Sequence, residues 1–242
     1  MTPPPPNVAL LEDIAERLPD KRQGMILRDL SRRIVINHSC LTDMKFCAQL
    51  LNLLERGFVA EQIDDQTNLL IQHSLLCNAA VLYSRATNGG SMYGGRGSID
   101  VTPKLSSDER ASHRFIIDFR NKVIAHVHIS HDMEGYAWNP SYAVAVDETD
   151  GFRLGAVSRP LSMRESIWNH LKKMAPVALE SVKANYHRYL DRASVVLEAL
   201  EDSDPIYASM QDSAKLLGST ESAQAVLGGR KGGSTIGIGR DE

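Results

Sequence analysis

From Ala111 onward an apolar residue recurs at every fourth position, through Phe115, Phe119, Val123 and Val127, with Ile116 and Ile124 beside the row. Four residues at about 100° each return to nearly the same side of an α-helix, so this pattern lays down one buried stripe. Ser106 followed by Glu109 has the spacing of a capping box, and Asp108 complements the positive end of a helix dipole. The row and its start signal predict a helix from about Ser107 to the neighbourhood of His126. A helix with a single apolar face must bury it against other elements, and the preceding residues supply only helical patterns for that purpose.

Leu10, Leu11, Ile14 and Leu18 recur at helical steps and end near Pro19. A second helix is predicted over about Gln23 to Asn37. A third is capped by Thr42 or Asp43 and closes at Gly57. A long candidate runs from about Glu61 to Asn88, stopped by Gly89-Gly90. Gly89 to Gly97 reads as a connector, for it lacks the spacing of a P-loop or a dinucleotide-binding turn. After the Ala111 row the period changes. Tyr142 to Val146 and Phe152 to Val157 flank Asp150-Gly151, the pattern of a β-hairpin. Ser162 and Glu165 open a last helical stretch from Met163 to about Leu200, which Pro176 should kink or split.

The expected fold class is mainly α: an up-and-down helical bundle with a small β-hairpin insertion. Its expected organisation is a flexible Pro-rich start at 1–7, a helical domain at 8–202 carrying the hairpin at about 141–158, and a flexible Gly/Ser-rich tail at 203–242. A short helix near Ile206 to Leu217 is the most order the tail should hold.

Net charge of −3 argues against a nucleic-acid binder that uses its whole surface, but leaves room for a local basic site. No apolar run approaches the roughly 20 residues needed to span a bilayer, and the four prolines after Thr2 do not resemble a signal peptide. A cytoplasmic protein without membrane contact is expected. Cys40, Cys47 and Cys77 show no CxxC spacing and fit reduced thiols packed among helices.

The chemistry-bearing run is Arg120-Asn121-Lys122-Val123-Ile124-Ala125-His126, at the end of the Ala111 helix. Arg120 stays charged and can grip a phosphodiester, while an imidazole such as His126 exchanges protons near neutral pH. Asn121 adds a neutral donor and acceptor able to orient either group. On an ideal helix Arg120 and His126 stand about 120° apart. Sharing one site therefore needs a distorted helix end, a reaching arginine, or matching groups from a second copy across a two-fold axis. The plainer alternative pairs Arg120 with nearby Asp118 or another acid and leaves His126 to cap the helix C-terminus. Lys122 lies one turn from His126, and Tyr83 and Arg85 on the preceding helix could line a cleft beside the motif, so these three are the candidate substrate contacts; packing and surface roles are the competing reading for Tyr83 and Arg85.

The sequence FRNKVIAH resembles the Arg–polar–x4–His form of the R-x4-6-H signature of the HEPN superfamily, and RNKxxAH resembles its abortive-infection and toxin branches. The resemblance covers residues 60–130, including the position of the motif late in a helix that follows a long helix and a loop. It implies an up-and-down bundle that dimerises so that two motifs share one cleft. It also implies a metal-independent endoribonuclease that uses no cofactor, with RNA as substrate, a homodimer as the working form and a cognate antitoxin protein as a further partner. Arg120 would neutralise the scissile phosphate, His126 would act as acid or base on the ribose 2′-OH or the leaving 5′-oxygen, and Asn121 would assist.

Two other readings compete. One is a non-catalytic HEPN-like module that binds RNA, nucleotide or a protein partner through the same residues. The other is a zinc hydrolase, because His126, His128 and His131 nearly reproduce a metallo-β-lactamase HxHxDH run. Ser130 stands where that run requires Asp, and the helical row before His126 opposes the strand it would need.

Overall fold

The computed structural model describes residues 7–56, 64–88, 97–124, 141–148, 151–158, 164–200 and 211–212. Its elements are β1 (Asn7–Val8), α1 (Leu11–Arg17), α2 (Lys21–Arg56), α3 (Asp65–Thr87), a 3₁₀ turn (Thr102–Lys104), α4 (Ser107–Phe119), a π-helical turn (Arg120–Ile124), β2 (Ser141–Glu148), β3 (Gly151–Ser158), α5 (Arg164–Glu198) and β4 (Gln211–Asp212). The described chain is mainly helical. No described helix is long and apolar enough to cross a membrane. By contacts the chain divides into two compact units, residues 1–36 with 184–242, and residues 37–183.

In the first unit, Ile14, Ala15, Leu18, Leu27 and Leu197 form a buried cluster. α1 and α2 approach closely at Gly24, where a Cβ would lie 2.7 Å from the carbonyl oxygen of Ala15. β1 and β4 pair antiparallel, Asn7 with Asp212 and Val8 with Gln211. That pairing corrects the expectation of helix near Ile206 to Leu217 at the two described positions. A strand partner from the far end of the chain satisfies their backbone groups in place of a local helical turn.

The second unit holds α3, α4, the π turn, the β2–β3 pair and the adjoining parts of α2 and α5. Strands β2 and β3 pair antiparallel from Ser141 with Ser158 to Glu148 with Gly151. α3 starts after Asp64, which accepts from the Thr67 backbone N–H at 2.9 Å. α4 starts as its sequence predicts. Glu109 N–H donates to Ser106 Oγ at 3.3 Å, and Ser106 N–H donates to Glu109 Oε2 at 2.8 Å.

The break predicted near Thr42 is absent, and α2 runs unbroken for 36 residues. No Pro or Gly lies between Asn37 and Asp43 to interrupt it. Thr42 Oγ1 donates back to the carbonyl of His38 at 3.0 Å, a bond available inside a helix. Asp43 points inward, 5 % exposed, and meets Arg85. Neither side chain is left to cap a helix start. α5 likewise continues through Pro176 without splitting. One missing backbone donor is tolerated where flanking turns such as Leu171, Met174 and Ala178 are fully buried.

Candidate functional site

α4 carries the site because packing against α3 and α5 fixes its rotation. Phe115, Ile116 and Phe119 are buried, and full burial of each large side chain contributes about 1.5–3 kcal/mol. The Phe115 ring stacks on His170 of α5 with centroids 4.3 Å apart, and Asp108 pairs with Lys173 of the same helix. On the α3 side, Tyr83 Oη lies 2.8 Å from His113 Nδ1. The buried face is rotated from the predicted row. Ala111 is exposed, while Ser112 and His113 are buried. Phe115 next to Ile116 widens the apolar face toward Ser112 and His113, a signal present in the sequence. The partner that makes a buried histidine acceptable comes from thirty residues earlier.

Past Phe119 the helix widens into a π turn over Arg120–Ile124. Such turns are frequent at functional sites. A distortion at the helix end was one of the conditions under which Arg120 and His126 would share a site. Ala125 and His126 lie outside the described residues, as do His128 and His131 of the zinc reading, and so does the expected helix end near His126. Val123 and Ile124 are helical rather than extended.

Arg120 is half-buried, and its Nη1 donates to Asn121 Oδ1 at 2.9 Å. Asp118, the acid expected to neutralise it, is held instead by Lys122 at 3.2 Å. Among the described residues no carboxylate pairs with Arg120. A half-buried guanidinium steered by a neutral amide keeps its full charge for a ligand. Lys122 is exposed but committed to Asp118.

The two expected contacts on α3 lie differently. Arg85 pairs through Nε with Asp43 Oδ2 at 3.3 Å, with about half of its side chain exposed. Tyr83 is fully buried and bonded to His113, which corrects the expectation that it lines an open cleft. Burial, with a smaller contribution from the nearby Cys47 thiol, raises the Tyr83 phenol well above its ordinary range and keeps it protonated. Burial also lowers the pKa of His113, opposed by the Asp100 carboxylate. Asp100 itself is occupied as an acceptor from Thr102 N–H at 2.9 Å and Thr102 Oγ1 at 2.5 Å.

These contacts border a cleft that the sequence alone did not disclose. It is an open cleft of about 550 Å³ between the end of α3, the 3₁₀ turn and α4, lined by Asn88, Thr102, Pro103, Arg110, His113, Arg114 and Ile117. The 3₁₀ segment is pinned in place by Ile99 N–H donating to the Ala86 carbonyl at 2.9 Å and by buried Ile99, Val101 and Leu105. Arg110 and Arg114 sit one turn apart on α4, both exposed. Comparison with models of known protein families, with curated proteins and with solved structures returned no match to this chain.

Proposed function

We propose that this chain is a metal-independent endoribonuclease of HEPN type, acting in the cytoplasm as a homodimer and held in check by a cognate antitoxin. The bundle is then the up-and-down HEPN fold, and the β2–β3 hairpin is an insertion in it. The observation that carries the reading is the state of Arg120. It is half-buried, aimed by Asn121, without a carboxylate among the described residues, and located at a widened helical turn. An arginine kept in that condition is suited to the two oxygens of a phosphodiester.

In the proposed reaction the ribose 2′-oxygen attacks the adjacent phosphorus as the bond to the 5′-oxygen breaks, leaving a 2′,3′-cyclic phosphate and a 5′-hydroxyl. Arg120 stabilises the charge that develops on the phosphoryl oxygens, while the two His126 side chains of the homodimer take the proton of the 2′-hydroxyl and give one to the departing 5′-oxygen. RNA cleavage in EDTA, wild type beside His126→Ala, tests the proposal. Cleavage by the wild type that disappears in the folded variant supports it. An inactive wild type under all conditions removes it in favour of a non-catalytic binding module, a reading favoured by the arginine-lined cleft on α4, which needs no reaction to hold an anion.

A further inference from the structure

We infer that the cleft bordered by Arg110, His113 and Arg114 holds the oxygens of a phosphate group, one belonging to the RNA strand beside the nucleotide bound at Arg120. This rests on the ribonuclease reading for the source of the phosphate, but the site stands on its own geometry. Like charges one helical turn apart repel, so Arg110 and Arg114 weaken the helix that carries them. Neither is compensated by an ion pair among the described residues. The acids of the same helix are committed elsewhere, Asp108 to Lys173, Glu109 to Ser106 and Asp118 to Lys122. Two guanidiniums lining one cleft, unneutralised among the described residues of a chain of net charge −3, form a local basic site.

His113, which also lines the cleft, supplies the third group. His113 is buried with its Nδ1 against the Tyr83 hydroxyl, which orients the ring and leaves Nε2 for a ligand. Asn88 and Ile117 line the same cleft, adding an amide and an apolar side chain.

The cleft and the motif share one helix face. Eleven residues at about 100° each bring Asn121 to within about 20° of Arg110, and seven bring it to within about 20° of Arg114. Arg120 starts from a different face, but its guanidinium is drawn to Asn121. Arg114 and Asn121 are separated by about 10 Å of helix axis, which a stacked strand covers in roughly three phosphates. One strand can therefore occupy the cleft and the motif together.

Binding of a short labelled single-stranded RNA across a range of salt tests the inference, with His126→Ala in every protein to keep the RNA intact. Arg110→Ala/Arg114→Ala should weaken binding about tenfold or more and flatten the dependence of log K on log salt by roughly 0.7 for each lost contact. Both positions are exposed and alanine removes their repulsion, so the melting temperature should equal or slightly exceed that of the parent. Inorganic pyrophosphate, titrated calorimetrically, is the second arm. If RNA binds the double variant with unchanged affinity and slope while Arg120→Ala abolishes binding, the inference falls and the ribonuclease reading survives. If pyrophosphate binds and is lost in the double variant but RNA never binds, the phosphate site stands and the ribonuclease reading falls. If neither probe separates parent from variant, the cleft is no phosphate site.

Discussion

The Arg120 guanidinium donates from Nη1 to Asn121 Oδ1 at 2.9 Å, between neighbouring residues at the start of the π turn. A side chain that long loses considerable rotational freedom when its head is tied to the next residue. Removing the tie in Asn121→Ala should leave the fold intact and slow RNA cleavage by roughly 10²-fold, the scale of a misplaced contact. Asn121→Asp should be worse, because a carboxylate there would neutralise Arg120. Arg120→Lys should also fail, since a point charge does not reproduce the bidentate fork. Single-turnover rates beside melting temperatures check all three. Wild-type rates in Asn121→Ala would show that the contact positions nothing.

His113 makes stability depend on pH. Burial lowers its folded-state pKa below the unfolded value, so the unfolded chain binds the extra proton first. The stability this contributes is fully present above the unfolded value, about 6.5, and is lost as pH falls toward the folded value. Urea unfolding of the wild type should therefore weaken between pH 7.5 and 5 more than unfolding of His113→Gln. Parallel pH curves for the two proteins would dismiss the effect.

Tyr83→Phe should cost about 1–3 kcal/mol, because it leaves the buried His113 Nδ1 without its partner. Chemical denaturation measures this directly.

Gly24→Ala sets two effects against each other. Alanine is favoured over glycine in a helix by about 1 kcal/mol, but the added Cβ would meet the Ala15 carbonyl oxygen at 2.7 Å. That contact is backbone and cannot swing aside, and overpacking of this kind costs about 1–3 kcal/mol. Net destabilisation is expected in denaturant titration, and a more stable variant would refute the close approach.

Ser106→Ala should destabilise the protein by about 1 kcal/mol through loss of the α4 cap. RNA-cleavage activity per folded molecule should be unchanged, which a thermal melt and an activity assay on one preparation can separate.

The start of α4 was legible because its chemistry is local: Ser106 and Glu109 satisfy each other's backbone groups within one turn. The strands at 141–148 and 151–158 also follow from nearby residues, through a change of hydrophobic period around a turn. Residues 120 to 122 announced themselves by type, and their chemistry is readable from a single strip of sequence. Other features depended on partners distant in the chain. α2 continues past Thr42 because Asp43 finds Arg85 rather than serving as a cap. Tyr83 became core instead of cleft wall because His113, thirty residues later, takes its hydroxyl. β1 exists because β4 supplies its ladder. The Arg110–Arg114 cleft needed three separated segments to close around it. Local patterns determined which residues could be helical and which could do chemistry. Tertiary packing decided which way each helix face turned, because burial of a polar group is tolerable only where a partner reaches it.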